Sequence, residues 1–196
     1  MIKAALTGAI GSGKTTALRF FEKCGAAVAS ADAWVHEELD ANSGLKKKIA
    51  SAFGARVVRS GRVDRRLLAG IVFKDPSQVK RLNALVHPLV KRRLFDFFRK
   101  NRKKALVVVE VPLLFEAKFD KFFDVTIGVA TDPRLGRQRF KRRGQEYVSD
   151  VRRRMRCQLG AREKISRCDL VIDNSGSRKE TYTQINKLME AELWKS

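Results

Sequence analysis

Gly8-Ala9-Ile10-Gly11-Ser12-Gly13-Lys14-Thr15 is the stretch that decides how this chain reads. It fits G-x-x-x-x-G-K-[ST], a pattern whose backbone amides cradle phosphate groups. The apolar run Ile2-Lys3-Ala4-Ala5-Leu6 precedes it and reads as a strand. Thr16-Ala17-Leu18-Arg19-Phe20-Phe21 follows it and reads as a helix. The plain alternative is a glycine-rich turn that only joins the two. A polyphosphate is densely anionic and needs many donors. Glycines at 8, 11 and 13 let the backbone curl closely around it. Successive N–H groups then converge as an anion nest, and the helix adds its positive end. Lys14 brings a mobile charge, and Thr15 offers a hydroxyl to Mg²⁺, which bridges phosphate oxygens.

The chain has 196 residues, enough for one α/β domain with a helical insertion. No apolar run is long enough to span a membrane, and the start lacks the basic-then-apolar pattern of a secretory signal. Cys24, Cys157 and Cys168 show no metal spacing and read as reduced thiols, so a cytoplasmic location is expected. The formal charge is +21, from 42 Lys and Arg against 21 Asp and Glu. Such a surface favours anionic partners without naming one. The charge is densest from Arg134 to Arg167, with thirteen basic residues and three acids, and again from Lys91 to Lys104. Solvated helix faces account for most of it. No recognised nucleic-acid motif accompanies it, so nucleic acid is not the expected partner.

Along the chain, residues 2–7 read as the first strand. Ala17, Phe20, Phe21 and Cys24 form one apolar helix face that Gly25 ends. Ala26-Ala27-Val28-Ala29 is a short strand, and a helix through Trp34 and Leu39 begins near Asp32. That puts Asp32 near a strand's carboxyl end, where open α/β sheets place their ligands. From Ser43 to Arg102 the pattern is helical, punctuated by Gly44, Gly54, Gly61, Pro76 and Pro88; only Arg56-Val57-Val58 hints at a strand. Residues 105–111 and 124–129 read as strands buried on both faces. Asp132-Pro133 opens a helix expected to reach about Arg143, and a further basic helix starts near Ser149. Residues 169–172 form the last strand and 177–193 a closing helix. Five strands alternating with helices imply a parallel sheet covered on both faces.

Several blocks now carry a resemblance. Leu6-Thr7-Gly8-Ala9-Ile10-Gly11-Ser12-Gly13-Lys14-Thr15 followed by Ala31-Asp32 resembles the dephospho-coenzyme A kinase family. So do Phe73-Lys74-Asp75-Pro76 with Leu82-Asn83-Ala84-Leu85-Val86-His87-Pro88, and Val111-Pro112-Leu113-Leu114-Phe115-Glu116. So do Glu163-Lys164 and Asp169-Leu170-Val171-Ile172-Asp173-Asn174-Ser175-Gly176-Ser177. The blocks follow the family's order over nearly the whole chain. The resemblance implies an α/β, P-loop kinase-like three-layer fold: a single domain over 1–196 with a five-stranded parallel sheet. Its core is expected at about 1–42, 103–133 and 168–196, a helical substrate lobe at 43–102, and a lid at 134–167. It implies transfer of the γ-phosphoryl group of ATP to the ribose 3′-hydroxyl of dephospho-coenzyme A, with Mg²⁺, in a monomer or weak homo-oligomer.

Roles then follow position by position. Gly8, Gly11, Ser12, Gly13, Lys14, Thr15 and Thr16 are expected to hold the ATP phosphates, with Thr15 on Mg²⁺. Asp32 is the expected base or orienting group for the 3′-hydroxyl; a helix N-cap is its other reading. Arg139 and Arg143 share a helix face. Arg139 is the expected transition-state contact and Arg143 a phosphate contact, with surface charge as the alternative for both. Thr7 reads either as a phosphate or sugar contact or as a strand-end hydroxyl satisfied by backbone. His87 reads as a packed or substrate-orienting histidine and His36 as surface. Leu114, Phe115 and Glu116 read either as pocket lining or as core. Ser30 and Glu110 stand where the family often has Asp, and Gly136 where it often has Gln. The other readings are a nucleoside monophosphate kinase-like enzyme on the same core and a nucleic-acid-binding ATPase.

Overall fold

The computed structural model describes residues 1–141 and 158–190. Those residues divide into two compact units: 1–31, 97–141 and 158–190 form one, and 32–96 the other.

The first unit is built on a parallel sheet. β1 (Ile2–Gly8), β2 (Ala27–Ser30), β5 (Leu106–Glu110), β6 (Val125–Ala130) and β7 (Leu170–Asp173) lie in the order β2-β5-β1-β6-β7, all parallel. β1 is central. Ala5 pairs with Val109 on one side and Thr126 on the other. Every residue of β5 is buried, as its unbroken apolar run requires. The five expected strands are all present, each within a residue or two of its expected limits.

Helices α1 (Lys14–Lys23), α6 (Pro133–Lys141), α7 (Ala161–Ser166) and α8 (Arg178–Glu190) belong to the same unit. Ala17, Leu18 and Phe21 of α1 join Ala4, Leu6, Val108, Ile127, Ile172 and Ile185 in one apolar core. The helix expected from about Ser149 and the last residues of the closing helix lie outside the described residues.

The second unit is helical, with one strand pair. α2 (Ala31–Ala41), α3 (Ser43–Phe53), α4 (Arg65–Val72) and most of α5 (Pro76–Lys100) lie in it. Asn42 caps α3 by accepting from the Leu45 amide at 3.0 Å, and Asp64 caps α4 by accepting from Leu67 at 2.9 Å. Leu39, Leu45, Ile49, Phe53, Val57, Val63, Leu68 and Val72 make its own core.

Two features differ from the sequence reading. β3 (Val58–Arg59) and β4 (Arg62–Val63) form an antiparallel hairpin, where only a hint of strand at 56–58 was expected. Its turn residues Ser60 and Gly61 both have positive φ, 48° and 73°, as a tight two-residue hairpin turn demands. Pro88 does not break the helical pattern, because α5 runs straight through it. Val86, Val90, Leu94 and Phe98 recur every four residues and are all buried, so side-chain packing offsets the hydrogen bond that proline cannot make.

Asp169 ties the start of β7 to β6. Its Oδ2 accepts from the Thr126 amide at 2.8 Å and from the Thr126 hydroxyl at 2.7 Å. These bonds hold the Asp169 carboxyl below the usual carboxylate range. A depressed native pKa contributes stability above the unfolded value, near 4, and loses it as the pH falls through the native value. Asp169→Ala is expected to lose on the order of 1 kcal/mol at pH 7, a modest figure because the carboxylate is solvent-exposed. The gap to the wild type should close below about pH 4 in urea titrations run from pH 7 to 3.

Candidate active site

The site is built where β1 ends. Gly8 closes the strand, the loop turns through 9–13, and α1 begins at Lys14. Gly13 occupies the N-cap of α1 in a left-handed conformation, with φ 91° and ψ 22°. Among the described residues no side chain caps this helix, and the Thr16 and Ala17 amides donate to the Gly13 carbonyl; a helix start of this kind suits an anion. Gly11 is crowded from outside: a Cβ there would lie 2.5 Å from the carbonyl oxygen of Gly136 in α6. Loop and helix therefore meet backbone to backbone.

Lys14 folds back over the loop. Its Nζ donates to the carbonyls of Gly8 at 3.1 Å and Ala9 at 3.0 Å. The ammonium thus sits over the loop it is expected to serve. Thr15 is exposed and Thr16 half-buried at the start of α1, and the Thr16 amide donates to Gly13 at 2.9 Å.

Two hydroxyls under the loop stand out. Thr7 Oγ1 and Ser12 Oγ are buried and have no hydrogen-bond partner among the described residues. Thr7 pairs with Gly128 of β6 in the sheet register, yet no backbone group satisfies its hydroxyl. A buried hydroxyl without a partner costs about 1–3 kcal/mol, so polar groups stored this way suit a polar occupant.

Arg139 reaches the same end of the sheet from α6. Its Nη1 donates to the Asn174 carbonyl at 2.9 Å and to Thr131 Oγ1 at 3.4 Å. Asn174 follows β7, and its side-chain amide donates to the carbonyl of Ser12 at 2.7 Å. One residue therefore contacts both the loop and the arginine. Arg143 lies outside the described residues, as do residues 142–157 of the expected lid.

Beyond β5, Leu114 is fully buried, which supports packing over pocket lining. Phe115 is half-buried beneath the Arg167 guanidinium, 6.0 Å from its ring centre. Glu116 meets Lys164 at 2.9 Å, although Lys164 is only 1% exposed. Lys164 also donates to the Pro112 carbonyl at 2.6 Å, and Glu116 accepts from the Leu159 amide at 2.9 Å. Buried charge is stable only with such partners. Neither this pairing nor the Asn174 contact follows from sequence spacing; Lys164 and Asn174 stand in the resemblance blocks without an expected role, and Glu116 reads there only as pocket lining or core.

The second unit holds the other candidates. Asp32 lies in the first turn of α2, one residue past its start, and is exposed. The expected N-cap position falls earlier, because the helix already begins at Ala31. His36 is exposed. His87 is half-buried in α5, and burial pushes its imidazole below the ordinary range. Among the described residues, no helix is long and apolar enough to cross a membrane.

The sequence model described as dephospho-CoA kinase matches residues 2–180. A dephospho-CoA kinase of Bacillus licheniformis is 35% identical over 192 residues, covering 94% of each chain. One from Thermobifida fusca is 34% identical, covering 99% of this chain and 95% of its own. Among solved structures, TT1252 from Thermus thermophilus superposes with a TM-score of 0.84 at 34% identity, covering 98% and 97% of the two chains. The dephospho-CoA kinase from Campylobacter jejuni gives 0.70 at 25% identity over 98% and 97%. A shikimate kinase from Acinetobacter baumannii, at 17% identity and a TM-score of 0.51, shares the fold, with 96% and 93% covered.

The His87 shift gives a pH test. The unfolded chain takes up a proton near pH 6.5, before the native imidazole does, so stability should fall as the pH drops through that window. Denaturant melts at pH 7.5 and 5.5 should show a larger drop for wild type than for His87→Gln.

Proposed function

The chain belongs to the dephospho-CoA kinase family, and we propose that it transfers the γ-phosphoryl group of ATP to the ribose 3′-hydroxyl of dephospho-coenzyme A. This is the final step of coenzyme A biosynthesis. The observation that carries the reading is the loop at 8–15: a glycine-formed cradle at an uncapped helix start, with the Lys14 ammonium over it. The family match over residues 2–180 supplies the acceptor.

Phosphoryl transfer asks the protein mainly for positioning and charge neutralisation. The amides of 11–16 would hold the phosphates, with Gly8 closing the strand beneath them. Lys14 would exchange its two carbonyl acceptors for phosphate oxygens and follow the charge that develops on the transferred group. The donor chemistry fits a phosphate-bound Mg²⁺, since the Thr15 hydroxyl is an exposed oxygen ligand at the start of α1. Thr15 would hold that ion, which neutralises charge across the phosphates. Thr7 and Ser12 would offer their unpartnered hydroxyls from below.

Asp32 orients the acceptor hydroxyl and takes its proton late in the reaction. Arg139 leaves the Asn174 carbonyl to meet the transition-state charge, and Arg143 assists on the phosphates. His87, in a lobe at about 43–102, and Phe115, after β5, are the proposed coenzyme contacts, and 134–167 is the proposed lid. The enzyme works in the cytoplasm.

Turnover and titration calorimetry with a non-hydrolysable ATP analogue separate these roles. Asp32→Asn should lower kcat by roughly 10²-fold or more. Arg139→Ala should lower it by about 10³-fold. Both should leave ground-state affinity for the analogue and for dephospho-coenzyme A within a few-fold. Near-normal turnover in both variants would refute the assignments. Nucleoside monophosphates offered beside dephospho-coenzyme A should be poor acceptors; their preferred phosphorylation would place the chain's specificity elsewhere.

A further inference from the structure

Asn174 is 5% exposed and lies just past β7, 162 residues from the loop it touches. Its side chain has two partners. Nδ2 donates to the Ser12 carbonyl at 2.7 Å, and Oδ1 accepts from the Thr181 hydroxyl of α8 at 2.9 Å. The orientation of the amide is fixed chemically, because a carbonyl can only accept. The backbone of Asn174 is anchored as well: its N–H donates to Ala130 of β6 at 2.9 Å, and its carbonyl accepts from Arg139.

The carbonyl held by Asn174 belongs to the Ser12–Gly13 peptide. That peptide is planar and trans, as are all peptides among the described residues. Its C=O and N–H therefore point in opposite directions. With the Ser12 carbonyl held toward Asn174, the Gly13 N–H points the opposite way, away from Asn174, and a nest presents its donors through such N–H groups. A second observation concerns the same pair of positions. A Cβ on Gly13 would collide with the Asn174 amide, so the side chain of one residue fills the space that the other leaves empty.

We infer that Asn174 is a positioning residue for phosphate binding: its side-chain amide pins the Ser12–Gly13 peptide so that the Gly13 N–H faces the anion. This rests on the reading of the 8–15 loop as the phosphate site. The residue touches no substrate. It acts through the loop, and the bond from its own N–H to Ala130 of β6 is what holds it in place to fix a peptide plane.

The probe is inorganic tripolyphosphate, which reports the loop without any nucleoside or coenzyme contact. Asn174→Asp places a carboxylate oxygen against the Ser12 carbonyl, and Asn174→Ala leaves that carbonyl unpaired. Each should weaken tripolyphosphate binding by roughly tenfold. Each should raise the KM for ATP by a similar factor and leave the KM for dephospho-coenzyme A within about twofold, a split that general loosening of the fold would not give. Thr181→Val, which removes only the far partner of the amide, should change tripolyphosphate affinity by less than about twofold. Lys14→Ala tests the underlying reading: unchanged tripolyphosphate affinity there would mean that the loop is not the phosphate site. If Lys14→Ala weakens binding while a folded Asn174 variant binds like wild type, the role given to Asn174 is overturned. Hydrogen exchange on the wild-type protein decides the matter without a variant. The Asn174 side-chain NH₂ should be protected with and without tripolyphosphate, and its immediate exchange would overturn the inference.

Discussion

The molecule depends on the central place of one strand. β1 has a partner on each side, β5 and β6, and is buried through its second half. Its backbone groups are committed to the sheet, so the point at which it ends cannot drift. The loop at 9–13 leaves from that fixed point and α1 packs Ala17, Leu18 and Phe21 back onto the sheet. A phosphate cradle needs donors held before the ligand arrives, and a mobile strand end could not hold them. The strength of the sheet at β1 is thus what makes a loop without side-chain bulk usable as a binding site.

Around that point, several polar contacts of the first unit meet at the carboxyl edge of the sheet. Arg139 and Thr131 meet the Asn174 carbonyl after β7, and Asn174 meets Ser12. None of these contacts is strong alone, and each net contribution is about 1 kcal/mol. Their value is geometric. They link β6, β7 and α6 to one loop, so that groups expected to handle phosphate meet at one end of the sheet.

Much of this was legible in the sequence, and the reasons are specific. The strands at 106–110 and 125–130 announce themselves because burial on both faces leaves unbroken apolar runs. The loop announces itself because its glycines and Lys14 have fixed spacing. The hairpin at 58–63 did not, because two-residue strands are too short to show alternation; Ser60-Gly61 was its only signal. Pro88 read as a break because local rules charge a proline in a helix heavily, while the stripe from Val86 to Phe98 acts through tertiary packing. Asn174 carried no local signal at all. Its contact joins residues 162 apart, and a polar side chain after a strand reads as a turn until the fold closes.

Lys164 illustrates a different limit of composition. It belongs to the most basic segment of a strongly cationic chain, yet its ammonium is hidden from water against Glu116 and the Pro112 carbonyl. Its neighbours Arg162 and Arg167 remain exposed. Those two can be exchanged for other soluble residues as lineages diverge, whereas 116 and 164 are bound to a shared fate. Loss of the Glu116 acid would strand the Lys164 ammonium in the interior with no counter-charge, so drift at 116 is constrained by what stands at 164.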